Sequence, residues 1–224
     1  MKLGILFSGG KDSCLALSYA KKYHKIACLI SLISENKESY MFHTPINLVD
    51  YQAKAVGILL IKQKTKGREE AELKDLKIAI KKAKNKYKIK GIVSGAVLST
   101  YQASRIQKIC NDLDLYCFNP LWQKDQIELL NELIKNRFEV IITRIAAEGF
   151  NESFLGRKID NKALQELITL SKNYKINIAF EGGEAESLVT YAPFFKKKII
   201  IIKSKKILEN YYTGYLNIKK IKLI

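Results

Sequence analysis

The chain has 224 residues, 47 % of them hydrophobic, and carries 39 basic against 22 acidic side chains, a formal net charge of +17. That length and apolar content are those of an ordinary globular protein, able to bury one large core or two small ones. No uncharged apolar run is long enough to span a membrane, and Met1-Lys2 leads straight into an apparent strand, so neither a membrane span nor a signal peptide is expected and the expected compartment is cytoplasmic.

In chain order, "LGILF" (3–7), "KIACLISLI" (25–33), "GILLIK" (57–62), "GIVSG" (91–95) and "LYCF" (115–118) read as strands. Residues 13–23, 47–56, 69–87 and 100–113 between them have apolar positions at helical spacing. Strands alternating with helices imply right-handed crossovers and a parallel sheet covered on both faces, which makes the fold class α/β with a doubly wound, Rossmann-like sheet. Ligands of such sheets sit at the carboxyl ends of the strands, where the winding reverses.

"NPLW" (119–122) interrupts this rhythm. A helical segment (124–136), a strand "FEVIITRIA" (138–146), a helix near 161–174, "INIAF", an acidic loop "EGGEAES", a short strand "LVTY" and the final "PFFKKKIIIIK" and "YTGYLNIKKIKL" follow. We therefore expect a first domain over residues 1–122 and a second, smaller mixed α/β domain over residues 123–224.

Ser8-Gly9-Gly10-Lys11-Asp12-Ser13 joins the first strand to the first helix. Two glycines let the backbone turn sharply and approach a ligand, and the following helix directs its N–H groups and positive dipole end at the same place. That is an anion site, with Ser8 and Ser13 adding hydroxyls. It is neither a Walker A loop nor a G-x-G-x-x-G turn. Asp12 is the unusual member, because a carboxylate beside polyphosphate is repelled unless a divalent cation lies between them or the carboxylate caps the helix.

Three further stretches hold candidate residues. His43 lies in an aromatic-rich turn; Ser94-Gly95-Ala96 is a small-residue turn after a strand, followed by a helix start presenting Tyr101, Gln102 and Arg105. Glu181, Glu184 and Glu186 crowd around Gly182-Gly183 in a chain of positive net charge, and carboxylates that close need a cation, a metal or a basic neighbour.

Only five of the basic residues are arginine (Arg68, Arg105, Arg137, Arg144, Arg157), and lysine is scattered along the chain with abundant isoleucine, as a compositional bias produces. Runs such as "KKAKNKYKIK" read most simply as solvated helix faces, so no direct nucleic-acid contact is required. Cys14, Cys28, Cys110 and Cys117 form no C-x-x-C pair and have no histidine at ligand spacing, which argues for reduced, partly buried thiols.

The strand followed by S-G-G-x-D-S resembles the pyrophosphate-binding loop of the ATP pyrophosphatases, the adenine nucleotide alpha-hydrolase group. Taken together, "FHTPIN", "YQASR" (101–105), "PLW", "LGRKID" (155–160) and "EGGEAES" (181–187), in that order, make nearly the whole chain resemble the diphthine-ammonia ligase branch of that group. The family's turn reads roughly G-E-G-G-E-Y-E-[ST]; here Phe180 stands for its first glycine and Ala185 for its tyrosine, and Ile46 is inserted in the "FHTPN" stretch.

The resemblance implies ATP-dependent amidation of diphthine on translation elongation factor 2 by free ammonium, through an acyl-adenylate, with AMP and pyrophosphate released. It implies ATP and Mg²⁺, with Ser8, Gly9, Gly10, Lys11, Asp12 and Ser13 on pyrophosphate, the ion near Asp12, and Ser31 and Gly95 flanking the adenosine. His43, Tyr101, Gln102, Arg105, Glu181, Glu184 and Glu186 fall to the substrate, the glutamates at the opening between the domains to attract ammonium, take its proton or contact diphthine's trimethylammonium group, with aromatic help from Tyr101 or Trp122. Asp12, Glu184 and Glu186 are the expected catalytic residues. Oligomeric state, a homo-oligomer included, is left open. The alternatives are a tRNA-modifying enzyme with the same loop and a non-catalytic adenine nucleotide-binding protein.

Overall fold

The computed structural model describes residues 1–34 and 48–224. They divide into two compact units, Met1–Gln123 and Lys124–Ile224.

In the first unit, five strands make a wholly parallel sheet: β1 (Lys2–Leu6), β2 (Lys25–Ser34), β3 (Leu60–Thr65), β4 (Gly91–Val93) and β5 (Tyr116–Phe118). The order β3-β2-β1-β4-β5 puts the reversal of winding between β1 and β4. Helices α1 (Lys11–Tyr23), α2 (Leu48–Val56), α3 (Glu69–Tyr87) and α4 (Thr100–Asp112) are the crossovers. One face of the sheet offers Leu6, Ile30, Leu32 and Ile92 to Leu76, Ala79 and Ile80 of α3 and to Ile106 and Ile109 of α4. On α1, Cys14, Leu15 and Leu17 are buried at helical spacing.

β3 begins three residues later than the apolar run at 57–62 predicts. Gly57 adopts φ +74° and, with Ile58, donates to the Ala53 carbonyl, so the start of that run caps α2 instead of opening the strand.

The second unit is built on an antiparallel sheet of order β7-β6-β9-β8, with β6 (Glu139–Ala146), β7 (Ala185–Tyr191), β8 (Ile199–Leu208) and β9 (Thr213–Leu223). Helices α5 (Gln126–Lys135) and α6 (Asn161–Tyr174) bury Leu129, Leu130, Leu133, Leu164 and Leu167. Aspartates start both. Asp125 accepts from the N–H groups of Ile127 and Glu128, and Asp160 accepts from Ala163. "INIAF" is not a strand, and β7 reaches back to Ala185, inside the predicted acidic loop, because Ala185 is buried and pairs with Ile145. Among the described residues no helix is long and apolar enough to cross a membrane.

Candidate active site

β1 ends at Leu6, and Phe7 continues its course by donating to the Ile30 carbonyl. The chain then turns through Ser8, Gly9 and Gly10 into α1 at the carboxyl edge of the sheet, beside the reversal of strand order. Gly9 has φ +81°, a conformation that favours glycine. The turn is held from inside by Ser13, whose Oγ accepts from Gly9 N–H at 3.1 Å and donates to the Gly10 carbonyl at 3.1 Å, with Ser8 Oγ at 3.3 Å.

Gly10, not Asp12, occupies the N-cap of α1, and no side chain caps that end. Asp12 lies in the first turn, where both its oxygens accept from Lys11 Nζ, at 2.9 and 2.7 Å. Lys11 is 2 % exposed. The pair brings one positive and one negative charge to the positive end of a 13-residue helix, whose first-turn N–H groups lie outside the i→i−4 ladder.

Ser31 and Gly95 are brought to the same turn. Ser31, buried on β2, donates to the Phe7 carbonyl at 2.5 Å. Gly95 follows β4, and a Cβ there would stand 2.8 Å from the backbone carbon of Asp12 and the nitrogen of Ser13. A third support comes from a residue that motif reading passed over. Gln52 of α2 is fully buried, and its Nε2 donates to the Gly9 carbonyl at 2.7 Å. The signal was present, since Leu48, Val49, Gln52, Ala53 and Val56 make one apolar stripe with a single amide in it.

Tyr101, Gln102 and Arg105 stand on the first two turns of α4, which Ser99 caps by accepting from Gln102 N–H. The Arg105 guanidinium lies over the Tyr101 ring, 3.4 Å from its centroid. His43 lies outside the described residues. All four cysteines are free thiols; burial pushes Cys28 up to about 12 and Cys14 further up, which keeps both protonated and removes them as nucleophiles. A hydrogen bond from Cys110 lowers Cys117 and raises Cys110 itself.

In the second unit Glu181 and Glu184 lie on one turn and Glu186 on the strand β7 that follows it. Glu184 Oε1 accepts from Asn177 N–H and Oε2 from Gly182 N–H, both at 2.9 Å, so its carboxylate closes the turn. Asn177 Oδ1 accepts from Ala179 and Glu181 N–H groups. Glu186 sits opposite Arg144 of β6, Oε1 to Nη1 3.8 Å. Arg144, another residue the motif did not contain, is thus a basic neighbour of Glu186.

Two stretches carrying the family resemblance have structural duties. In "LGRKID", Leu155 and Ile159 are buried, Arg157 makes a two-pronged ion pair with Glu166 of α6, and Asp160 caps α6. In "PLW", Leu121 is fully buried and Trp122 N–H bonds the Asn119 carbonyl.

The profile of the diphthamide synthase N-terminal domain matches residues 1–116, and that of the diphthamide synthase C-terminal domain matches residues 125–224. The chain belongs to the diphthamide synthase family. The diphthine–ammonia ligase of Homo sapiens is 33 % identical over 94 % of this chain and 86 % of its own length, and that of Danio rerio 35 % identical over 90 % and 86 %. Among solved structures, the U34-tRNA thiolase of Methanococcus maripaludis overlays with a TM-score of 0.40 at 16 % identity, covering 80 % of this chain and 68 % of that one.

Against the diphthamide synthase turn pattern, the two departures of this chain have physical content. Phe180, at the place of the first glycine, has φ +65°, so a glycine-favouring backbone is kept while the side chain is buried against Phe150. Ala185, at the place of the tyrosine, is buried as the first residue of β7.

Proposed function

We propose that the protein is an ATP-dependent ligase that amidates diphthine on translation elongation factor 2, with ammonium as nitrogen donor, in the cytoplasm where that factor works. The observation that carries this reading is that membership of the diphthamide synthase family spans both units, while the Ser8–Ser13 turn stands at the strand-order reversal where α/β sheets bind ligands.

A carboxylate is a poor electrophile. Its oxygen attacks the α-phosphorus of ATP, the α–β bridge breaks and pyrophosphate leaves; ammonia then attacks the acyl carbon and AMP departs with the electron pair of the broken bond. Ser8, Gly9 and Gly10 with the first turn of α1 hold the pyrophosphate portion, and Lys11 and Ser13 keep that turn in shape. Asp12 offers one carboxylate, and no group of three or more metal-binding side chains gathers among the described residues. That donor set suits a Mg²⁺ carried in on the phosphates, since Mg²⁺ is commonly held by one or two carboxylates plus substrate oxygens. The ion, when bound, supplies charge neutralisation on the polyphosphate.

Ser31 and Gly95 border the nucleotide from the ends of β2 and β4. Tyr101, Gln102, Arg105 and His43 serve the substrate, with Tyr101 and Arg105 held together as a stacked pair. Glu184, with both oxygens committed to backbone N–H groups, positions the turn. Proton acceptance from ammonium and contact with the cationic substrate then fall to Glu181 and Glu186.

The test is incubation of the pure protein with ATP, Mg²⁺, ammonium and diphthine-bearing elongation factor, following AMP and the factor's mass. AMP formed together with conversion of the carboxylate to the amide establishes the ligase. No amidation, with AMP released on addition of bulk tRNA, moves the assignment to RNA modification.

A further inference from the structure

The β8–β9 hairpin concentrates charge beyond the general bias of the chain. Residues 196–222 hold nine lysines and one acidic residue, Glu209, whereas the whole chain holds 34 lysines in 224 residues. Directly opposed residues of a ladder share a face and successive pairs alternate; the register steps on both sides of the Lys203–Lys220 pair, where Ile202 and Lys219 are extra residues, so faces are followed pair by pair. The pairs Ile200–Lys222, Lys203–Lys220 and Lys205–Asn217 alternate with Ile201–Ile221 and Ser204–Ile218, so Lys203, Lys205, Lys220 and Lys222 project from one face. Ile199, Ile201, Ile221 and Leu223 project from the other, as do Ile218 and Leu216, and there Leu216 borders Gly156 and Lys206 Nζ donates to the Glu152 carbonyl.

The four lysines are exposed, and among the described residues none takes part in an ion pair. Lys203 and Lys220 stand about 5 Å apart across the ribbon, with Lys222 to one side of that pair and Lys205 to the other, each about 7 Å along its own strand. Exposed strand edges are commonly guarded by lysine. A guard needs a charge on each strand, and it gains nothing from Lys203 set directly against Lys220, where like charges repel. The ladder from β6 reaches β9 only over Thr213–Tyr215, so at the lysines the sheet is a two-stranded ribbon.

Protein interfaces favour arginine and avoid lysine, and residues 196–222 contain no arginine. A row of compact, strongly hydrated ammonium groups suits evenly spaced phosphates bound without regard to sequence. Tyr215 and Asn217 share the lysine face, opposite Ile207 and Lys205. A tyrosine ring is a stacking platform for an unpaired base, and an amide can both donate to and accept from a ribose 2′-hydroxyl.

We propose that this face binds the backbone of single-stranded RNA without sequence preference. The inference does not rest on the ligase reading, and its test uses neither ATP nor the elongation factor, so the two stand or fall separately.

The experiment titrates the full-length protein into a fluorescent, unstructured oligouridylate and follows anisotropy over a range of salt. Binding that weakens linearly in log–log salt is expected. Lys203→Ala with Lys220→Ala weakens it about tenfold at low salt and flattens the slope by about 1.4, about 0.7 for each lost phosphate contact. Lys203→Arg with Lys220→Arg retains it. Thermal melting of the alanine pair at or above wild type confirms folding, and Lys205→Ala with Lys222→Ala repeats the test should that pair misfold. No binding at low salt, a wild-type slope in both alanine pairs, or equal competition by polyglutamate or by oligothymidylate would each overturn the proposal.

Discussion

The side-chain amide of Gln52 donates to the Gly9 carbonyl at 2.7 Å, and a Cβ built on Gly9 would stand 1.8 Å from Gln52 Oε1. Helix α2 thus grips the glycine turn at the residue whose backbone is left-handed.

Two substitutions separate the grip from the space. Gln52→Ala removes a buried donor and leaves the Gly9 carbonyl unsatisfied, a cost of about 1–3 kcal/mol, and ATP binding is expected to weaken by about tenfold. Gly9→Ala meets both the left-handed backbone and the amide oxygen, and is expected to abolish AMP formation. Combining the two relieves the clash but not the backbone strain, so the double variant recovers part of the loss of Gly9→Ala. Simple additivity, read by calorimetric ATP titration of all four proteins, would show that Gln52 and Gly9 are not coupled.

Gly95 lets the turn after β4 pack closely against the start of α1. Its absent Cβ would meet backbone atoms of Asp12 and Ser13 at 2.8 Å, which cannot swing aside as a side-chain terminus can. Gly95→Ala is expected to cost about 1–3 kcal/mol in thermal melting and to lower AMP formation with it, because the same displacement moves the turn. A variant with unchanged melting temperature and unchanged activity would place the freedom to shift in α1.

Much of this arrangement is legible from the residues. The five-strand rhythm and the glycine turn follow from apolar spacing and a short motif, and the parallel sheet follows from the alternation of strands with helices. What escaped was long-range pairing. Gln52 and Asn177 are amides inside apolar stretches, a visible anomaly, but nothing local says that their partners are Gly9 and the Ala179–Glu181 backbone. Arg144 is likewise invisible as a partner of Glu186 until antiparallel register sets β6 against β7. The bound of β3 was misread because Gly57 could open a strand or end a helix, and the left-handed cap decided it.

Glu184 and Glu186 are expected to fail differently when altered. Glu184→Gln keeps one acceptor oxygen but turns an amide N–H toward a backbone N–H, so the turn loosens and amidation drops with a rise in the ammonium KM. Glu186→Gln leaves the two hydrogen bonds of Glu184 in place and removes the carboxylate that takes the ammonium proton, so kcat is expected to drop with KM nearly unchanged while the melting temperature holds. Wild-type amidation by both variants would remove this turn from the reaction.

The Arg157–Glu166 pair gives the second unit a defined acid response. The hydrogen bonds from Arg157 hold the Glu166 carboxyl below the usual carboxylate range, and they raise Arg157 in turn. A carboxyl depressed in the folded state contributes its full stabilisation above the unfolded value, about 4.3, and loses it as pH falls through the lower folded value. The difference in melting temperature between the wild type and Glu166→Gln is therefore expected to stay flat from neutrality to about pH 5 and to close below about pH 4. The gap should be small, because the Glu166 side chain is 42 % exposed and the pair is screened by solvent. A gap that widens on acidification would mean that a group other than Glu166 governs it.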